Sequence, residues 1–329
     1  MKVEQIHDFI QEATKADEIL GSSLIQSLWS GYGSIKKYEL LGCDYPTAIV
    51  KHVKPDQGAH PRGWNTDLSH QRKLKSYQVE LHWYESRRNC LKVSNAKIPA
   101  CIATKCDGLE VLMVLEDLDA SGFDRRKSFV NEQEWQACVK WLADFHAENL
   151  NASVSGLWET GTYWHLETRP DELERMDDPE LKKSARAIDA KLRKSNFQTL
   201  VHGDAKLANF CFSENGSEVA AVDFQYVGGG CGMKDLAYFV GSCFRDEEAE
   251  EMEEEVLDYY FNQLSLNLGK GRSVVPCEEL QKDWRPLYRV AWADFHRFMK
   301  GWSPGHWKLS DYSERVTREV IESLREENA

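Results

Sequence analysis

Val201-His202-Gly203-Asp204-Ala205-Lys206-Leu207-Ala208-Asn209-Phe210 and, a little further on, Val222-Asp223-Phe224-Gln225 decide how this chain is read. Two β-type runs flank the segment, Thr199-Leu200-Val201 and Val219-Ala220-Ala221-Val222. Between and beside them stand two carboxylates and one amide. Phosphoryl transfer from ATP needs such a set. A carboxylate must orient the acceptor hydroxyl and take its proton. Hard oxygen ligands must hold Mg²⁺ against the phosphates, and a cation must offset charge on the moving group. Asp204 suits the base, Asn209 and Asp223 suit the metal, and Lys206 suits the charge. At that spacing Asp204, Lys206 and Asn209 cannot share one strand face, so a turning loop between two short strands is expected to bring them together.

Upstream of this segment the chain reads as strand-rich. Tyr38-Glu39-Leu40-Leu41 and Thr47-Ala48-Ile49-Val50-Lys51-His52-Val53 form a predicted hairpin around Gly42-Cys43-Asp44. Leu74 to Arg87 reads as a helix, and Val111-Leu112-Met113-Val114-Leu115 as a continuous apolar strand that ends in Glu116-Asp117. Beyond that point the pattern becomes helical. Trp135, Cys138, Val139, Leu142 and Phe145 form one helical stripe, and everything after Asp235 reads helical, with the acidic run from Asp246 to Glu255 as a solvated helix face. The expected fold class is therefore α+β: a small strand-rich half, a bridging strand, and a larger helical half with a short β insert. That order suits a cleft between two lobes, where ligands usually bind.

The bulk numbers exclude several function classes. With 329 residues the chain is long enough for one bilobal unit with a sizeable core. A formal net charge of −13 argues against a nucleic-acid or anionic-membrane partner, both of which call for a basic surface. No signal-peptide pattern or membrane-length apolar run is read from the sequence. The nine cysteines are odd in number and form no Cys-x-x-Cys pair, which fits reduced thiols in a cytoplasmic protein better than a disulfide framework or a zinc site.

His-Gly-Asp-x-x-x-x-Asn followed by Asp-Phe-Gln resembles the aminoglycoside phosphotransferase and choline kinase superfamily, and within it the ecdysteroid-kinase-like branch most closely. Further residues carry the resemblance. Lys51, in Ile49-Val50-Lys51-His52, matches the strand lysine that grips the α- and β-phosphates. Glu80 matches the helix glutamate that pairs with that lysine. Leu115-Glu116-Asp117-Leu118 resembles the hinge whose backbone groups, from Glu116 to Leu118, hold adenine. The resemblance runs from about residue 30 to about residue 245 and implies a bilobal protein-kinase-like fold. Its implied small lobe covers residues 1–118 and binds nucleotide; residues 119–329 form the catalytic, acceptor-binding lobe. ATP and Mg²⁺ are the implied cofactors and a small-molecule hydroxyl compound the implied acceptor. Two features depart from the usual pattern: Lys206 stands two residues after the base, and Gln225 replaces the glycine of the metal-binding triplet.

Other residues admit several readings. Ser30-Gly31-Tyr32-Gly33-Ser34 precedes the first strand of the hairpin and could fold over phosphates with its free N–H groups, Ser34 included, although it is no Walker A loop. His202 is expected to brace its loop and Asp235 to hold it. Gly228-Gly229-Gly230 is either a flexible linker or a border of the acceptor. In the aromatic tail, Trp292 and Asp294 could hold a cationic or hydroxyl-bearing acceptor if they face the cleft. The rival functions are a pseudokinase or nucleotide-binding regulator, a protein kinase, and a metal-dependent hydrolase. Against the protein kinase stands the absence of His-Arg-Asp and of an Ala-Pro-Glu-like segment.

Overall fold

The computed structural model describes residues 1–28, 31–55, 67–88, 94–269 and 275–327. It begins with helix α1 (Val3–Thr14) and strands β1 (Glu18–Ser27), β2 (Gly33–Leu41) and β3 (Thr47–Val53). Helix α2 (Asp67–Arg87) follows, then β4 (Cys101–Asp107) and β5 (Glu110–Glu116). The strands form one antiparallel sheet in the order β1-β2-β3-β5-β4. Alternation along β3 sorts its two faces. Ala48 and Val50 pack with Ile6 and Ile10 of α1, while Ile49 and Lys51 face the opposite way, into the cleft. The apolar run of β5 is covered on both faces: Leu112 and Val114 join the α1 side, and Val111, Met113 and Leu115 join the main core. That is why it reads as continuous rather than alternating.

The second lobe opens with α3 (Glu132–Glu148), α4 (Pro170–Arg175) and α5 (Pro179–Arg193). A capping box starts α3: the Asn131 side chain accepts from the Glu134 N–H, and the Glu134 carboxylate accepts from the Asn131 N–H, each at 3.0 Å. Four three-residue strands follow: β6 (Thr199–Val201), β7 (Phe210–Phe212), β8 (Val219–Ala221) and β9 (Gly228–Gly230). They pair as β6 with β9 and β7 with β8. The rest is helical: α6 (Met233–Cys243), α7 (Asp246–Glu251), α8 (Glu253–Leu268), α9 (Cys277–Trp284), α10 (Leu287–Trp302) and α11 (Asp311–Glu326). Helix α10 is the axis of this lobe, packed between α4, α5, α6 and α11. The acidic run spans α7 and the start of α8 and is mostly solvated. Glu253 is the departure: it is buried, accepts from the Tyr312 hydroxyl at 2.6 Å and pairs with Arg289 at 2.8 Å. Among the described residues no helix is long and apolar enough to cross a membrane, and eight cysteines are free.

The three glycines at 228–230 are no linker. They form β9, wedged between β6 and the backbone of residues 158–161. A Cβ on Gly228 would lie 2.2 Å from the Trp158 carbonyl oxygen, so only glycine lets the two backbones meet. Gly228→Ala is expected to cost about 1–3 kcal/mol of stability, read as a lower denaturant midpoint. Gly305→Ala, where a Cβ meets open space, is the near-neutral control.

Candidate active site

After β6 the chain turns at Gly203, which has a φ of +80°. A Cβ there would lie 2.1 Å from the Tyr226 carbonyl oxygen, so the turn excludes a side chain on both counts. Asp235, in the first turn of α6, holds that turn. It is fully buried and accepts from the His202 N–H at 2.5 Å, the Gly203 N–H at 2.9 Å and His146 Nε2 at 3.2 Å. His202 lies 3.0 Å from the Val222 carbonyl through Nε2 and accepts from the Asp204 N–H through Nδ1 at 3.2 Å. Both nitrogens are therefore spent on bracing the loop.

Asp204 projects from this braced loop and is 7% exposed. Its Oδ2 accepts from Lys206 Nζ at 3.0 Å and from Asn209 Nδ2 at 3.1 Å, while its Oδ1 is buried with no hydrogen-bond partner among the described residues. Burial pushes the Asp204 carboxyl up, with Lys206 opposing. The Asn209 amide also donates to the Asp204 carbonyl at 2.7 Å, which leaves its own oxygen free to meet a cation. Asp223 follows β8 with a left-handed φ of +71°. Behind it Phe224 is fully buried, stacked on Trp83 at 4.8 Å and packed on His202 at 4.6 Å.

Lys51 on β3 donates to Glu80 of α2 at 2.6 Å and lies 3.7 Å from Asp223 Oδ1. Burial pulls the Lys51 ammonium down, but Glu80 and Asp223 outweigh it and hold the group above its ordinary value. For Asp223 burial acts upward, and Lys51, Lys73 and Lys206 together hold the carboxyl below its ordinary range. Gln225 ties this cluster to α2: its amide donates to Asp223 Oδ1 at 2.8 Å, and its oxygen accepts from Lys73 at 2.8 Å and from Ser76 at 3.2 Å. Glutamine in place of glycine thus serves as a polar link between the metal-type aspartate and the helix that carries Glu80.

At the hinge, Asp117 pins the end of β5 to its neighbours through Lys37 at 2.7 Å and the Thr47 hydroxyl at 2.6 Å. The Glu116 carboxylate is taken by Lys97, Ser121 and the Ala100 N–H, and the Leu118 carbonyl by the Ser121 and Phe123 amides. Any adenine contact here would have to come from the remaining backbone groups. Ile35, Ile49, Leu115 and Val222 supply apolar surface beside them. Lys51, Glu80, Glu116, Leu118, Asp204, Lys206, Asn209 and Asp223 all line one cavity of about 1290 Å³ between the lobes. Among the described residues no group of three or more His, Cys, Asp or Glu forms a self-contained metal site. A donor set of one carboxylate and one amide oxygen fits Mg²⁺, which usually completes its shell with substrate phosphates and water.

Part of the chain matches a known family: residues 157–272, which carry Asp204, Lys206, Asn209 and Asp223 but not Lys51, Glu80, Glu116 or Leu118, fit the ecdysteroid kinase-like family. That match spans about a third of the chain. The resemblance read from the sequence is thus found over His202, Asp204, Asn209 and Asp223, and the match does not reach Lys51, Glu80 or residues 115–118. In solved structures a similar fold occurs in the choline kinase of Cryptosporidium parvum Iowa II, with a TM-score of 0.53 and 13% identity over 99% of this chain and 96% of that one. It occurs also in a microcompartment-associated aminopropanol kinase, with a TM-score of 0.53 and 14% identity over 98% and 94%. At such identities the likeness is one of fold, and it bears out the bilobal α+β expectation. No curated protein matches the sequence significantly.

Outside residues 157–272, three expectations need correction. Ser34 lies within β2, paired with Ser27 and His52. Its neighbours Ile35 and Lys37 line the cleft, so alternation turns the Ser34 side chain to the other face. Ser30 of the same stretch lies outside the described residues. Asp294 and Trp292 do not face the cleft either. Asp294 is 1% exposed, bonded to Arg297 and to Trp164 Nε1, because a buried carboxylate is tolerable only when paired. Trp292 packs against Gly241 of α6 and Tyr312 of α11. The face of α10 that does line the cavity carries Phe295, Phe298, Met299 and Trp302. That i, i+3, i+4, i+7 stripe is the signal that could have found it. Tyr163, Tyr238 and Lys308 also line the cavity and were missed, for they come from separate elements with no shared spacing.

Proposed function

We propose that the protein is a small-molecule kinase that moves the γ-phosphate of Mg·ATP onto a hydroxyl of its acceptor. One observation carries the reading: the Lys51–Glu80 pair reaches Asp223 in the same cavity in which Asp204 keeps an unpartnered, buried carboxylate oxygen. The fold likeness to proteins named as a choline kinase and an aminopropanol kinase supports it.

In this mechanism residues 1–118 bind nucleotide and residues 119–329 bind the acceptor and carry the chemistry. Backbone groups between Glu116 and Leu118 meet adenine. Lys51, oriented by Glu80, grips the α- and β-phosphates. Asn209 and Asp223 supply oxygen ligands to Mg²⁺, whose contribution when bound is to neutralise phosphate charge. Asp204 Oδ1 accepts the hydrogen bond of the acceptor hydroxyl, aligns its oxygen with the γ-phosphorus and takes the proton as the new oxygen–phosphorus bond forms and the bond from the γ-phosphorus to its bridging oxygen breaks, releasing ADP. Lys206, on the other carboxylate oxygen, offsets charge on the phosphoryl group. No covalent intermediate is needed, because positioning and electrostatics supply the catalysis. A cytoplasmic setting, in keeping with reduced cysteines, belongs to the same proposal.

Thermal stability tests the nucleotide half. A ligand that binds only the native state stabilises it by mass action, by about 2.7 kcal/mol at a hundredfold excess over Kd, and so raises the melting temperature. Wild type should show a Mg²⁺-dependent rise with ATP that Asp223→Ala loses. No rise in wild type at millimolar ATP would overturn the reading.

A further inference from the structure

Part of the cavity wall is aromatic, with Tyr163, Tyr238, Phe295, Phe298 and Trp302 lining it. Tyr163 packs on Tyr238 at 5.6 Å and on Phe298 at 5.4 Å, Tyr238 on Phe295 at 4.9 Å, and Phe298 is stacked on Trp302 at 5.7 Å. Such a wall could serve a cationic acceptor through cation–π contact, but only if its rings are open to a visiting cation. Here the protein has placed its own cations there. The Arg169 guanidinium lies 5.2 Å from the Phe298 centroid and 5.9 Å from that of Tyr163. The Lys308 ammonium lies 4.5 Å from Tyr238 and 5.4 Å from Phe295.

The two cations differ in what balances them. Arg169 is paired with Glu172 at 3.0 Å and donates to the Tyr163 carbonyl at 2.6 Å. Lys308 has no ion pair and no side-chain hydrogen bond among the described residues; its neighbours are rings, with Asp204 and Lys206 acting on it at longer range. Burial pulls its ammonium down to about 8, so at neutral pH it is mostly charged. The carboxylates of the cavity are committed elsewhere: Glu80 to Lys51, Asp117 to Lys37, Asp204 to Lys206. A half-buried cation without a counterion is costly, and an incoming ammonium would add like-charge repulsion. An incoming anion would remove the cost.

We propose, on the basis of the kinase reading above, that the acceptor is an apolar alcohol carrying an anionic group such as a carboxylate, and that Lys308 is the residue that pairs with it. The aromatic wall takes the apolar body, Asp204 the hydroxyl and Lys308 the anion. The γ-phosphate is the other anion within the cavity, but Lys51, Lys73 and Lys206 already surround Asp223 on that side. The preference would set this chain apart from kinases named for amino alcohols.

The test uses three alcohols on one ring: para-(hydroxymethyl)benzoate, benzyl alcohol and para-(aminomethyl)benzyl alcohol. ADP release with Mg·ATP is read for wild type, Lys308→Ala and Lys308→Arg, beside the melting shift given by Mg·ATP alone. Expected is a kcat/KM order of carboxylate, then neutral, then amine. In Lys308→Ala the carboxylate should lose roughly 10- to 100-fold, the range of a charged hydrogen bond, and Lys308→Arg should restore most of it, with the Mg·ATP shift unchanged throughout. A preference for the amine, no discrimination, or a carboxylate preference that survives Lys308→Ala overturns the proposal. So does a Lys308→Ala variant that loses the Mg·ATP shift instead, which would give Lys308 to the nucleotide. Absence of that shift in wild type overturns the kinase reading, and this proposal with it; a shift without the charge preference overturns this proposal alone.

Discussion

Asp204→Asn is expected to lower acceptor-dependent ADP release by about 10²- to 10⁴-fold, the usual share of a positioned general base, and to leave Mg·ATP stabilisation intact. The substitution keeps the shape of the side chain. Its oxygen can still accept from Lys206 and Asn209, which now bond to Oδ2. The amide nitrogen would take the place of Oδ1, the buried atom without a partner. A donor there repels the acceptor hydroxyl proton that the carboxylate would take, so the loss should fall on turnover. Lys51, Glu80, Asn209 and Asp223 are untouched, so the melting shift with Mg·ATP should stay near the wild-type value. A variant that keeps the wild-type rate would show that Asp204 is not the base. A wild type that binds Mg·ATP yet releases ADP with no alcohol tested would instead fit a nucleotide-binding regulator.

How much of this was legible beforehand depends on how local each signal is. The β2–β3 hairpin, β5 and α3 are written in short-range patterns: β3 and β5 lie within a residue of their expected limits, while β2 begins at Gly33, well before the expected Tyr38. The pairing of Asp204 with Asn209 was legible because one loop carries both. Strand β1 left no such signal. It is an edge strand containing Gly21, Ser22 and Ser23, and Leu24 and Ile25 stay exposed, so it shows neither alternation nor an apolar run. Helix α10 misled for the opposite reason: it is buried on nearly every side, so a stripe can be drawn on any face. Trp292 and Asp294 attract attention by residue type, yet the cavity face begins one residue later, at Phe295. Lys308 follows α10 in a loop and acquires its neighbours, Tyr238 and Phe295, through tertiary packing alone.

Asp294→Ala is expected to destabilise the protein by about 3–5 kcal/mol, the usual effect of breaking a buried ion pair from one side. Asp294 Oδ1 accepts from Arg297 at 2.8 and 3.2 Å, and Oδ2 accepts from Trp164 Nε1 at 3.1 Å and lies 3.8 Å from Lys234 Nζ. Arg297 is 1% exposed and Lys234 2% exposed. Alanine would leave two buried cations without a counterion, and a reduced urea midpoint or loss of soluble protein should report it. Burial pushes the Asp294 carboxyl up, but Arg297 and Lys234 outweigh it and hold the group below its ordinary value. Its contribution is therefore present at neutral pH and is lost as pH falls through the acid range. Asp294→Leu combined with Arg297→Met should recover much of the loss, since apolar replacement of a buried pair is often close to neutral. Lys234 would remain to be balanced, so recovery should be partial. If Asp294→Ala instead folds with wild-type stability and changes acceptor preference, the carboxylate serves the acceptor after all. If it is destabilised and the double variant is rescued with its acceptor preference unchanged, Asp294 is what its burial implies: the counterion that lets α10 carry Arg297 through the core of the lobe.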